Sequence, residues 1–102
     1  MVSGSYVTYE QHRSAPPTSG AVVLFFHAPW CPDCRASDAA LTNAGVPDGI
    51  TVVKVDFDSM TDLRKKYGIT QQHTFVQVDP AGTLVKKWSG SKDGNAIKSQ
   101  LG

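Results

Sequence analysis

The stretch Ala21-Val22-Val23-Leu24-Phe25-Phe26-His27-Ala28-Pro29-Trp30-Cys31-Pro32-Asp33-Cys34-Arg35 runs from an apolar segment into a pair of cysteines and then into a polar, alanine-rich segment. Ala21 to Phe26 has the unbroken hydrophobicity of a strand buried on both faces. Cys31 and Cys34 are the only cysteines of the chain. Two intervening residues at a strand-to-helix junction let such thiols close into a disulfide and reopen without moving the fold, which points to a redox dithiol. Zinc would normally want a second ligand pair. The candidates, His27 and His73, are far apart in sequence and show no recognisable metal spacing.

A chain of 102 residues is enough for one domain with a modest core. With 10 Lys and Arg against 9 Asp and Glu the charge is nearly balanced, which argues against a nucleic-acid or membrane-surface partner. The basic runs Arg64-Lys65-Lys66 and Lys86-Lys87 read as the solvated face of a helix and of an edge strand. No stretch approaches the ~20 apolar residues of a membrane span, and no charged leader runs into an apolar core. Met1-Val2-Ser3-Gly4-Ser5 reads as a start residue and a linker, with a domain over 6–102 from which an upstream signal or anchor has been removed. A lone cysteine pair serves reducing and oxidising compartments alike.

Elements alternate between marks at Pro16-Pro17, Gly45 to Gly49, Gly68, Pro80 to Gly82 and Ser89 to Gly94. Tyr6 to Tyr9 is a short strand and Glu10 to Ala15 a brief helix ended by the prolines. Val22 to His27 and Ile50 to Phe57 are central strands. Arg35 to Ala44 is a helix with the cysteines in its first turn and Gly45 as its stop. Ser59 and Asp62 resemble a capping box for a helix bearing Met60, Leu63 and Tyr67 on one face and closed by Gly68. Thr74 to Val78 and Thr83 to Trp88 form a hairpin through a type I turn at Asp79-Pro80-Ala81-Gly82. A final helix spans Asp93 to Leu101, weakened by Gly94. The order β-α-β-α-β-α-β-β-α predicts an α/β fold, a central mixed sheet with helices on both faces, and the dithiol at the carboxyl end of a central strand.

From Tyr6 to the end the chain resembles the thioredoxin family, so the resemblance implies a thioredoxin fold. It rests first on Phe25-Phe26-His27-Ala28-Pro29-Trp30-Cys31-Pro32-Asp33-Cys34-Arg35, similar to the strand, Trp-Cys-x-x-Cys motif and helix of thioredoxins. Val55-Asp56-Phe57-Asp58 and Tyr67-Gly68-Ile69-Thr70 are similar to the family's third strand and its approach to a cis-proline loop. Phe25 to Ala28, with Gln72-His73-Thr74-Phe75-Val76-Gln77, also resembles thioredoxin-like domains of bacterial cell-envelope proteins. That likeness implies an extracytoplasmic place, the alternative being cytoplasmic.

Three positions depart from the family pattern. Phe25 stands where thioredoxins usually carry a buried Asp that accepts the proton of the second cysteine, and His27 replaces the usual aromatic. His73 replaces the cis-proline. A non-proline cis bond costs about 2.5–4 kcal/mol, so the Gln72-His73 bond is expected to be trans.

Cys31, at a helix N-terminus, is the expected nucleophile and Cys34 the resolving thiol. Pro32 restricts the loop, Asp33 opposes a thiolate and Arg35 favours one. Trp30 reads as a partly exposed lid beside Cys31. His12 reads as an ordinary packed or surface residue. One of the other two histidines, His73 ahead of His27, is the candidate proton carrier that replaces the missing Asp. The resemblance places Gln72 and Thr74, with Trp30 and Pro32, against an extended substrate. The expected activity is cofactor-free thiol–disulfide exchange on protein or small-molecule disulfides, by a monomer fed by an upstream thiol reductant. The alternative is a zinc or iron–sulfur module using Cys31, Cys34 and His73, with His27 available as a fourth ligand.

Overall fold

Ala21–His27 and Ile50–Asp56, the two apolar runs of the sequence, lie side by side in parallel at the centre of a sheet in the computed structural model, which describes residues 4–14, 20–79 and 81–101. The elements follow as β1 (Ser5–Thr8), α1 (Tyr9–Ser14), β2 (Ala21–His27), α2 (Pro32–Asn43), β3 (Ile50–Asp56), α3 (Thr61–Tyr67), β4 (Thr74–Val78), β5 (Leu84–Ser89) and α4 (Gly94–Gln100). The five strands are ordered β1-β3-β2-β4-β5. The first three are mutually parallel, and β4 and β5 run antiparallel. Val23, Phe25, Phe26, Val52, Val53, Val55, Phe75 and Val76 are wholly buried, as β-branched and aromatic side chains covered on both faces should be.

Helices cover the sheet on both faces. Residues in register point the same way, so Tyr6, Phe25 and Lys54 share the face on which α2 lies. There Asp38 of α2 accepts a hydrogen bond from Tyr6 Oη at 2.6 Å and pairs with Lys54 Nζ at 3.3 Å. On the opposite face Tyr9 of α1 and Leu63 and Tyr67 of α3 gather around Leu24 and Val78. β5 is an edge strand, as the Lys86-Lys87 run suggested, and Lys87 Nζ reaches the carbonyls of Tyr67 and Gly68.

Several local expectations are corrected. Ser5, read as linker, opens β1: it pairs with Thr51, and the Gly4 N–H donates to Val46 O. Residues 1–3 and Ala15 lie outside the described residues, as does Pro80 of the expected turn. The bond from Gly82 N–H to Asp79 O closes that turn, and Asp79 Oδ1 accepts from the Ala81 and Thr83 N–H groups. The capping box at Ser59 and Asp62 does not form. Ser59 Oγ donates instead to Asp56 Oδ2 at 2.6 Å, a charged acceptor at the strand end, and Met60 stands at the N-cap without a side-chain bond. Gly68 does close α3, in the left-handed conformation with φ 66°. Gly94 has a packing reason: a Cβ there would lie 2.6 Å from Pro47 Cδ. Asp93 offsets its low helix propensity by capping α4 through the Ala96 N–H.

The segment before β4 carries the sharpest backbone departure. All peptide bonds of the described residues are trans, the Gln72-His73 bond included, and His73 is their one non-glycine residue with positive φ, at 58°. Its N–H donates to Phe26 O at 2.9 Å. Proline can supply neither that φ nor that donor. His73→Pro is therefore expected to lower stability by roughly 3 kcal/mol or more, read as a fall in the urea midpoint, whereas His73→Asn, which tolerates the left-handed region, loses less.

The Asp38 tie gives a second expected outcome. Burial pushes this carboxyl up, but the Tyr6 hydroxyl and the Lys54 ammonium outweigh burial and hold it below the usual Asp value. Its stabilisation is therefore full above the unfolded value of about 3.9 and fades as pH falls through the folded one. Urea midpoints measured below about pH 4 should fall more steeply in the parent than in Asp38→Asn.

Candidate active site

The dithiol is set by the start of α2. Cys31 stands at its N-cap in extended conformation, φ −94° and ψ 115°, and Pro32 takes the first helical position, where its missing N–H costs nothing. The Cys34 N–H donates to Cys31 Sγ at 3.2 Å, so sulfur plays the part that a serine or aspartate oxygen plays at other N-caps. The helix N-terminus and that donor both point at this sulfur. The Cys31 N–H is tied to Ala28 O at 3.1 Å, which tightens the loop. Both thiols are free, and both are buried.

Cys34 is the deeper of the two. Its thiol faces Phe26 O at 4.0 Å. Burial, reinforced by the hydrogen bond to Cys31, pushes it up to about 12, although the backbone N–H groups of Ala28 and His73 beside it pull the other way. At neutral pH Cys34 keeps its proton. The attacking and resolving roles read from the sequence thus have a physical basis, a sulfur at a helix terminus and a protonated sulfur behind it.

Around the thiols the structure redistributes the expected roles. Arg35, expected to offset Asp33, donates to Pro29 O at 3.3 Å and braces the loop. The cation nearest Asp33 is Lys92, 3.9 Å away on the segment before α4, in an exposed pair worth little in water. Trp30 is 54% exposed, as a lid should be, and is held by Asp58, whose Oδ2 accepts from Nε1 at 2.9 Å. Its ring meets Phe57 edge-on at 6.3 Å. Gln72 is half-buried just before His73, whereas Thr74, expected to face substrate, is buried and gives its hydroxyl to Gln71 O at 2.8 Å.

The two histidines part company. His73 Nε2 lies 2.7 Å from Ser37 Oγ and 3.1 Å from Ser91 O, and Ser37 Oγ donates to Ser91 O at 2.8 Å. A proton on Nε2, donated to Ser37, satisfies all three groups. The ring therefore clamps its loop to α2 and to the β5–α4 segment, and the His73 backbone N–H lies beside Cys34. Burial lowers its pKa, against the nearby Asp33 carboxylate and the Ser91 carbonyl. His27 is different: Nε2 is buried with no hydrogen-bond partner among the described residues. Its ring stands edge-on to Phe25 at 5.6 Å and lines a cleft of about 500 Å³ with Glu10, Lys54, Asp56 and Ser59. Burial, then Lys54, lowers the His27 pKa, and Asp38 and Asp56 oppose them.

Ser37, Ser91, Asp38 and Lys92 were not singled out in the sequence. Two of them could have been: Ser37 and Asp38 follow Cys34 at helical spacing on one face of α2.

The sequence model of the thioredoxin family matches residues 5–102. A thioredoxin-like protein of Fusarium culmorum is 34% identical over 91 residues, which span 79% of this chain and 75% of that protein. Thioredoxin of Bacillus subtilis is 26% identical over 95 residues, 91% of this chain and 79% of that one. Mitochondrial thioredoxin of Mus musculus is 32% identical over 82 residues, and the matched part is 49% of its length, so the chain spans about half of that relative. Among solved structures, a variant thioredoxin from Halobacterium salinarum superposes with a TM-score of 0.72 at 23% identity, covering 95% of this chain and 86% of its own. Trxlp from Edwardsiella tarda gives 0.69 at 22%, covering 97% and 98%. Those two likenesses show the fold. A family match that begins in β1 and takes in every later element, with both cysteines where that family keeps its redox pair, makes this chain a thiol–disulfide oxidoreductase belonging to the thioredoxin family.

Proposed function

We propose that the chain reduces protein disulfides, with Cys31 attacking and Cys34 resolving. The observation that carries this reading is the contrast within the pair: Cys31 Sγ accepts the Cys34 N–H at the helix terminus, while Cys34 is buried, protonated and one turn behind. Attack by Cys31 leaves a mixed disulfide, and Cys34 then displaces the substrate sulfur and closes the ring. An upstream thiol reductant restores the dithiol. Trp30, exposed beside the loop, and the backbone at Gln72 offer an extended substrate an apolar platform and main-chain partners.

The metal alternative loses its third ligand, because His73 Nε2 is already engaged by Ser37 and Ser91. No group of three or more His, Cys, Asp or Glu among the described residues is placed to hold a metal ion. Acting as a monomer belongs to the same proposal: the large apolar side chains exposed among the described residues are Trp30, Leu84 and Val85, too few for a stable dimer face. So does work in the bacterial cell envelope, which rests on Phe25 to Ala28 and Gln72 to Gln77. Recovery of the native protein solely in the cytoplasmic fraction would overturn that last point.

With dithiothreitol as reductant, the parent should turn over insulin disulfides, Cys31→Ser should abolish turnover, and Cys34→Ser should accumulate a mixed disulfide visible by mass. Equal residual activity in the two variants would remove the assignment of roles. Protein prepared without added metal should titrate as two free thiols after reduction. Stoichiometric zinc or iron, lost in both Cys31→Ser and His73→Ala, would restore the metal reading.

A further inference from the structure

Resolution requires Cys34 to give up a proton that its burial holds tightly, and Phe25 alongside offers no ionisable group to receive it. We infer that His27 is the proton acceptor for Cys34, its free Nε2 taking the thiol hydrogen and releasing it into the cleft lined by Glu10, Lys54 and Asp56. This inference rests on the exchange reaction proposed above.

Three observations converge on His27. The Cys34 thiol lies against the backbone of β2 at Phe26 O and beside the Ala28 N–H, and His27 is the residue between those two groups. Its ring lies on the sheet face that carries Phe25 and Lys54, the face α2 covers. Buried polar atoms are nearly always partnered, yet His27 is 7% exposed and its Nε2 has no partner among the described residues, while His73 Nε2 is engaged twice over. The His27 ring also lines a cleft, which gives the proton an exit.

The surrounding charges suit a ring that is neutral at rest and briefly cationic. Lys54 of β3 disfavours the imidazolium, and Asp56 of β3 and Asp38 of α2 favour it. Glu10 of α1 stands across the cleft. Asp38 is kept anionic by Tyr6 of β1 and by Lys54, which makes it a positioning residue for the charge that forms on His27.

The step balances as follows. In the mixed disulfide, the Cys34 S–H bond breaks toward His27 Nε2, in the tautomer that carries its hydrogen on Nδ1. The sulfur electron pair attacks Cys31 Sγ, and a Cys31–Cys34 bond forms. The bond from Cys31 to the substrate sulfur breaks, and that sulfur leaves with its electron pair as a thiolate. The imidazolium proton passes through the cleft to solvent or to that thiolate. Two electrons have moved from the dithiol to the substrate disulfide.

Reaction of the reduced protein with 5,5′-dithiobis(2-nitrobenzoate) separates the two attacks. The first nitrothiobenzoate released reports Cys31, and the second reports Cys34. In the parent, the second phase should show a pH step below the ordinary His value of about 6.5. His27→Phe, which keeps ring volume, should leave the first phase unchanged, slow the second by at least about tenfold and erase the step. His27→Gln should do the same while keeping polarity. Asp38→Asn should move the step, and the His27 NMR titration, to lower pH, a shift that a merely structural role would not produce. If folded His27→Phe and His27→Gln retain the parent's second phase and pH profile, the inference is wrong. It is equally wrong if His73→Asn, and neither His27 variant, removes the step. Cys31→Ser should lose both phases; their persistence would bring down the exchange reaction itself, whatever His27 does.

Discussion

The carbonyl oxygen of Phe26 is the point where three distant parts of the chain meet. It belongs to the last turn of pleat in a central strand, accepts the His73 N–H at 2.9 Å and faces the Cys34 thiol at 4.0 Å. The strand end, the bend before β4 and the first turn of α2 are therefore fixed relative to one another by one acceptor with two lone pairs. Everything that makes the dithiol usable follows from this. A helix placed otherwise would leave Cys34 in water, and a bend placed otherwise would free the His73 ring from Ser37.

The inward stripe of α2 is unusual in its chemistry. Cys34, Ser37, Asp38 and Leu41 recur at helical spacing, and the first three are polar or ionisable. Burying such groups is tolerable only when each finds a partner. Ser37 finds His73 and Ser91, and Asp38 finds Tyr6 and Lys54, so the polar groups become ties between layers. Tyr6 and Lys54 bring β1 and β3 into the same network, which links the far edge of the sheet to the helix that carries the reacting sulfurs.

Much of this was legible in the sequence where one local signal dominated. The apolar runs of β2 and β3 and the helix stop at Gly68 each admit a single reading, the cysteine pair favours a redox reading over a metal one, and element order then leaves few topologies. Signals that depend on a choice of partner were harder. Ser59 could serve either a helix backbone or the Asp56 carboxylate, and in the folded chain it serves the carboxylate. The α2 stripe was harder to read because its first inward positions are polar, so hydrophobic periodicity gave no mark at Ser37 or Asp38 and only their helical spacing from Cys34 pointed to them. The histidines could be named, and His73 ranked ahead of His27, but which ring is engaged depends on Ser37 and Ser91, distant partners that bond His73 and not His27.

The outer strand β5 has a consequence for how copies of this chain meet. Leu84 to Lys87 is exposed throughout, and as an edge strand it presents backbone donors and acceptors that another β-strand could use. Leu84 and Val85 would make that contact adhesive. Lys86 and Lys87 oppose it, since two such strands laid edge to edge would bring like charges together and strip them of water. The adjacent lysines lie one on each face of the strand, and since Lys87 Nζ is tied to the Tyr67 and Gly68 carbonyls, Lys86 carries more of that repulsion. A basic pair on an open edge strand is thus a brake on the sheet growing past its fifth strand.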